Sequence, residues 1–156
     1  MGAGKTTVAG LLAQAWGVEV RDTDADIEAA EGRSISDIFV DSGEERFRAL
    51  EAEAVATALA EHDGVLALGG GAVLRPETRD LLTGVPVVFL RVGLSEAVKR
   101  VGLGVGRPLL LGNVRARIKA LLDERTPIYE SVATHVVDTD ARTPDEVAAQ
   151  VREVLG

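Results

Sequence analysis

The triplet Gly4-Lys5-Thr6, standing at the head of a helical pattern, constrains this chain more than any other stretch. From Thr6 to Trp16, apolar residues recur with a helical period at Val8, Leu11, Leu12, Ala15 and Trp16, and Gly17 stands where a helix end takes positive φ. A glycine loop running into a helix can hold phosphate: loop N–H groups and the helix N-terminus surround the oxygens, a Lys reaches the outer phosphates and a hydroxyl holds Mg²⁺. The complete pattern is G-x-x-x-x-G-K-[ST], and Gly4-Lys5-Thr6 supply its end. Its leading glycine and the strand that feeds the loop would lie before Met1. The chain is therefore expected to be an N-terminally shortened form, poorly stable and weakly active. A Gly-Lys-Thr triplet alone is common, and it is the helix opening behind it that gives it weight.

The rest of the composition narrows the setting. With 156 residues and 46% apolar content, one domain spanning 1–156 has ample core. There are 25 acidic against 17 basic side chains, so the net charge of -8 gives no electrostatic reason to expect nucleic acid or an anionic membrane. Cysteine is absent, which excludes disulfides and suits a reducing cytoplasm. No apolar run approaches the ~18–20 residues of a membrane span.

Strand and helix patterns alternate down the chain. Val18 to Arg21 reads as a strand leading into Asp22-Thr23-Asp24, at the edge where parallel sheets place ligands. If the pleat persists, Asp22 and Asp24 point the same way; a turn or helix cap suits these residues equally well. Short helices are expected over Ala25–Glu31 and from Ser34, and a longer one over Glu44–Glu61 with Phe47, Leu50, Ala54 and Ala58 on its buried stripe. Arg48 on that helix reads, by itself, as a solvated surface residue. Val65 to Leu68 is an unalternating apolar strand running into Gly69-Gly70-Gly71, which either lets a ligand approach main-chain amides or marks a flexible turn. A short helix (Pro76–Leu82), a buried strand (Pro86–Leu90) and a helix capped by Ser95 follow. Residues 102–114 surround Arg107 with glycine and proline and suggest a lid. A helix from Asn113 is expected to stop before Pro127, a last strand covers Thr134–Asp138, and Thr143-Pro144 opens the closing helix. His135 reads as an ordinary strand residue and Trp16 as a packing residue.

Taken in order, Gly4-Lys5-Thr6, Asp22-Thr23-Asp24, Phe47-Arg48 with Glu51, Leu68-Gly69-Gly70-Gly71-Ala72, Arg107-Pro108-Leu109-Leu110 and Arg125 before Pro127 and Tyr129 resemble the shikimate kinase family across essentially the whole chain. The resemblance implies a three-layer α/β fold of the nucleoside-monophosphate-kinase type, with a parallel sheet of order 2-3-1-4-5. It further implies ATP-dependent phosphorylation of the 3-hydroxyl of shikimate. On that resemblance Gly2, Ala3, Gly4, Lys5, Thr6 and Thr7 would contribute to the phosphate site, Thr6 would ligate Mg²⁺ and Asp22 would hold the ion through water. Asp24 would orient or deprotonate the hydroxyl, and Arg48 and Arg125 would grip the shikimate carboxylate. The amides of Gly69, Gly70 and Gly71 would meet the substrate, while Arg107 would close over the transferring phosphoryl group. Arg100, Arg142 and Pro144 would flank the adenine. A cytoplasmic monomer without nucleic-acid or membrane partners is expected. Two alternatives remain open: another small-metabolite kinase of the fold, such as a gluconate kinase, and a shikimate- or nucleotide-binding module impaired by its incomplete phosphate loop.

Overall fold

Short apolar runs separated by amphipathic stretches fold here as parallel strands joined by helices, because a parallel pair needs a crossover connection of a dozen or more residues. The computed structural model describes residues 4–105 and 111–155, with the backbone alone over 101–105 and 111–114. The elements are α1 (Lys5–Trp16), β1 (Val20–Asp22), α2 (Thr23–Glu31), α3 (Ile35–Glu61), β2 (Val65–Ala67), a 3-10 turn (Ala72–Leu74), α4 (Pro76–Leu81), β3 (Val88–Arg91), α5 (Leu94–Val105), α6 (Leu111–Val132), β4 (His135–Asp138) and α7 (Pro144–Leu155). They fall into two compact units, one of Ala9–Thr83 and one of Met1–Val8 with Gly84–Gly156. No helix among the described residues is long and apolar enough to cross a membrane.

In the unit of Ala9–Thr83, β1 and β2 pair in parallel with Val20 opposite Val65 and Asp22 opposite Ala67. Its core joins Ile27 of α2 to Ile38 and Phe47 of α3, and the Phe39 and Phe47 rings lie 4.8 Å apart. The helix ends are fixed by local chemistry. Asp22 Oδ1 accepts from the Asp24 N–H at 2.9 Å and caps α2, which ends at Gly32 with φ 66. Ser34 caps α3 through the Asp37 N–H, and Gly43, at φ 85 and ψ 167, interrupts that helix. The two helical patterns expected around residue 43 therefore run on through one break.

In the other unit, β3 and β4 pair in parallel from Val88 opposite His135 to Arg91 opposite Asp138. Val92, Ala97 and Ile118 form a buried cluster between α5 and α6. A reciprocal cap opens α7, with Glu146 N–H donating to Thr143 Oγ1 at 3.1 Å and Thr143 N–H to Glu146 Oε1 at 3.3 Å. The pairs β1–β2 and β3–β4 correspond to neighbours 2-3 and 4-5 of the expected order, and no strand precedes α1 among the described residues.

Of the two readings left open for Asp22-Thr23-Asp24 the structure shows the helix cap: Asp24 lies in the first turn of α2, because the Asp22 carboxylate takes its N–H and starts the helix at once. Three sequence expectations are corrected. Pro127 lies inside α6, which runs on to Val132. A proline there costs about 3 kcal/mol in a helix interior; beyond it the Tyr129 ring lies 5.0 Å from that of Phe89, a contact that returns about 0.5–1.5 kcal/mol of it. Ser95 falls within α5, whose first turn closes on the Gly93 carbonyl through the Ala97 N–H. Trp16 is exposed and not a packing residue. Of the expected lid, 102–105 continue α5 and 111–114 open α6, while Arg107 lies outside the described residues, as do Gly2 and Ala3.

Candidate active site

The parallel register of β1 and β2 builds one half of the site. Asp22 and Ala67 are paired at the C-terminal edge, so the residues two positions beyond each strand emerge side by side. Those residues are Asp24 and Gly69. A methyl carbon placed on Gly69 would lie 2.9 Å from Asp24 Oδ1, so the carboxylate sits directly against the glycine backbone. Two residues further on, the Arg48 guanidinium lies flat on Gly71, where an added carbon would be 2.5 Å from Cζ. Asp24, Arg48 and the run Gly69 to Gly71 are therefore brought together within a single unit.

Arg48 is anything but a solvated helix residue. Its Nη1 donates to Glu51 Oε1 at 2.8 Å, and Glu51 is only 2% exposed. The guanidinium carbon stands 5.3 Å from the Phe47 ring centroid and 6.0 Å from that of Phe39, both within cation–π range. Its Nε is buried with no hydrogen-bond partner among the described residues. A buried N–H held in this way is open to a hydrogen-bond acceptor. Arg125 on α6, in the other unit, carries the same feature, a buried Nε without a partner among the described residues.

Sequence reasoning gave Glu51 no role. Its spacing three residues from Arg48 on one helix was the available signal. Arg79 was missed as well: its Nη1 donates to the carbonyls of Val73 and Leu74 at 2.9 and 3.0 Å and fastens the turn that follows the glycine run.

The other unit holds a cleft of about 200 Å³ that gathers Gly4, Arg100, Thr139, Arg142 and Pro144. The structure thus places the last glycine of the phosphate motif with three residues expected around the base. Gly4 has φ 77, open to glycine at little cost, immediately before α1. The first turn of α1, like that of α6 and unlike those of α2, α5 and α7, carries no acidic side chain, so nothing there repels an anion from its positive end. Lys5, Thr6 and Thr7 stand in that same turn. The wall from Thr139 to Arg142 is a tight turn with Ala141 at φ 57, closed by Arg142 N–H donating to the Thr139 carbonyl at 3.3 Å. Arg100 Nη2 reaches the same carbonyl at 3.5 Å.

These features fit the phosphates and base of a nucleotide. The described residues contain no cluster of three or more His, Cys, Asp or Glu able to enclose a cation.

Comparison with known proteins shows the family. The family model for shikimate kinase matches residues 1–156. The shikimate kinase of Salinispora tropica is 60% identical over 154 residues, covering 99% of this chain and 92% of the relative. That of Thermobifida fusca is 58% identical, covering 99% and 90%. Among solved structures, shikimate kinase from Acinetobacter baumannii in complex with shikimate superposes with a TM-score of 0.91 at 33% identity, covering 99% of this chain and 88% of that one. The Aquifex aeolicus enzyme gives 0.79 at 31% identity, covering 99% and 90%. A phosphate-motif helix, a glycine-lined strand edge with its carboxylate and guanidinium, and a family match over the full length lead to one conclusion: the chain belongs to the shikimate kinase family.

Proposed function

We infer that this chain transfers the γ-phosphoryl group of ATP to the 3-hydroxyl of shikimate, a step of aromatic amino-acid biosynthesis. The observation that carries this reading is the placement of the Asp24 carboxylate and the Arg48 guanidinium against one glycine run. An acceptor for a hydroxyl proton and a cation for a carboxylate, set beside exposed amides, suit a hydroxylated ring acid. Phosphoryl transfer leaves a protein little covalent work, so its residues act by positioning and by charge.

In this reading Asp24 accepts the hydrogen bond of the attacking hydroxyl and takes its proton as the new P–O bond forms. Arg48 and Arg125 bind carboxylate, and their buried Nε groups, without a hydrogen-bond partner among the described residues, support that. The amides of Gly69, Gly70 and Gly71 orient the ring substituents. Gly2 to Thr7 hold the β- and γ-phosphates, Lys5 balances the charge of the leaving group, and Arg100, Arg142 and Pro144 line the adenine. Thr6 and Asp22 would hold Mg²⁺, which neutralises phosphate charge when bound. Arg107, on a lid around 102–114, would bring a further cation to the γ-phosphate. The enzyme is taken to be a cytoplasmic, single-domain monomer; its acidic balance and lack of cysteine support that setting.

The test is turnover, followed as ADP release with shikimate, gluconate and other hydroxy acids as acceptors. Shikimate should be the preferred acceptor by kcat/KM, and Asp24→Asn should lower kcat by about 10²–10⁴-fold while nucleotide affinity holds. Preference for an open sugar acid, or nucleotide binding without turnover on any acceptor, would overturn the reading.

A further inference from the structure

We propose that Gly69 and Gly71 are positioning residues that seat the protein's own Asp24 and Arg48, a role separate from any contact their amides make with substrate. The proposal rests on the reading of Asp24 and Arg48 given above and deepens it.

Glycine is usually required where the backbone turns left-handed. That reason fails here. Gly71 has φ -96 and ψ 0, which any residue can adopt, and Gly69 is not among the glycines with positive φ. Space, not conformation, is the constraint: an added side chain would displace the ends of Asp24 and Arg48. A β-carbon on Gly69 would sit 2.9 and 3.1 Å from the two Asp24 oxygens, well inside the ~3.5–4.0 Å of ordinary van der Waals contact. One on Gly71 would overlap the Arg48 guanidinium, 2.5 Å from both Cζ and Nη2.

The glycine run has little freedom to retreat. Upstream, β2 is paired with β1 through Ala67. Downstream, Ala72 N–H donates to the Gly69 carbonyl at 3.0 Å and Leu74 N–H to the Gly71 carbonyl at 3.2 Å, Ala72 and Val73 are buried, and Arg79 holds the carbonyls of Val73 and Leu74. An added methyl group must therefore push the side chain facing it. Asp24 would move in the first variant and Arg48 in the second, so the two substitutions should damage different kinetic parameters.

The experiment compares Gly69→Ala, Gly71→Ala, Asp24→Asn and Arg48→Ala in the full chain, with ATP and shikimate varied separately. Gly69→Ala is expected to lower kcat about a hundredfold, the loss typical of a small misplacement, with the KM for shikimate little changed. Combined with Asp24→Asn it should add little further loss. Gly71→Ala is expected to raise the KM for shikimate about tenfold or more, through the weakened charged hydrogen bonds of Arg48, and to leave kcat nearly intact. Thermal unfolding gives a second readout that survives poor activity: the melting temperature lost in Gly69→Ala should be largely recovered in Gly69→Ala combined with Asp24→Ala. A parental kcat in Gly69→Ala beside a disabled Asp24→Asn would overturn the seat and leave the proposed function standing. A parental kcat in Asp24→Asn would overturn the catalytic role of Asp24 and, with it, the kinetic half of the proposal. Absence of thermal rescue would show that Gly69 is needed for the backbone itself.

Discussion

Glu51→Ala should disable Arg48 without touching it. The Glu51 carboxylate is 2% exposed and accepts from Arg48 Nη1 at 2.8 Å, while the Arg48 side chain is 14% exposed. Removing one member of a buried ion pair costs about 3–5 kcal/mol, chiefly because the remaining charge is left buried and uncompensated. Three features here soften that penalty. Arg48 is not fully buried, Glu44 Oε1 lies 3.5 Å from its Nη2, and two phenyl rings face the guanidinium. A loss of about 2–3 kcal/mol follows, which for a chain of this size lowers the melting temperature by roughly 5–10 °C. Glu51→Gln keeps the volume and an acceptor oxygen and should lose about half as much. The assay is thermal unfolding alongside the KM for shikimate, which should rise in Glu51→Ala while the KM for ATP stays put. A Glu51→Ala protein that melts within a degree of the parent and binds shikimate normally would refute the argument that Glu51 holds Arg48 in place.

Three further outcomes follow from single contacts. Asp22→Asn retains a cap acceptor for the Asp24 N–H and should melt like the parent, whereas Asp22→Ala should lose about 1 kcal/mol of stability; both should need more Mg²⁺ for half-maximal turnover, measured by metal titration. Arg125→Ala should weaken shikimate by roughly 1.5–3 kcal/mol in a direct binding assay and leave ATP affinity unchanged. Asp138, hydrogen-bonded twice by Arg91 at 2.6 and 3.0 Å, is held below the ordinary carboxylate range. Its contribution is thus fully present above the ordinary value of about 3.9 and lost as pH falls through the lower folded value, so parent and Asp138→Asn should converge in stability in acid. Both groups are about half exposed, which keeps the neutral-pH difference under about 1 kcal/mol.

How much of this was legible in the sequence varies with the range of the interaction. The helix of the phosphate motif, the caps at Ser34 and Thr143 and the stop at Gly32 are local, and each follows from chemistry within four residues. The continuation of α6 through Pro127 is not local. The part of α6 beyond Pro127 packs on residues far away in sequence, Phe89 against Tyr129 among them. Arg48 shows the same divide more sharply. Its own helix gives it the pattern of a surface residue, whereas Gly71 beneath it and Glu51 beside it make it a largely buried, oriented cation. Family resemblance found Arg48 because it carries the record of that tertiary setting, which periodicity does not.

The parallel strand pairs explain why an aspartate and a glycine meet twice in this chain. In β1–β2 the last register pair is Asp22 with Ala67, and two residues on stand Asp24 and Gly69. In β3–β4 the last pair is Arg91 with Asp138, and two residues on stand Gly93 and Asp140. Parallel strands release their chains at one edge in one direction, so positions at equal offsets come into contact, and in both pairs an aspartate and a glycine occupy them. The uses then diverge for a geometric reason. Asp140 turns both oxygens to the Gly93 N–H at 3.0 and 3.1 Å, just before α5, and its acceptor capacity is turned toward starting that helix. At the other edge a different residue does that work. Asp22 caps α2, which relieves Asp24 of the capping duty and lets its carboxylate lie across Gly69. An Asp-x-Asp at a strand end thus divides two tasks between two carboxylates, one for the fold and one for the chemistry. That division fits the reading in which Asp24, and not Asp22, meets the substrate hydroxyl.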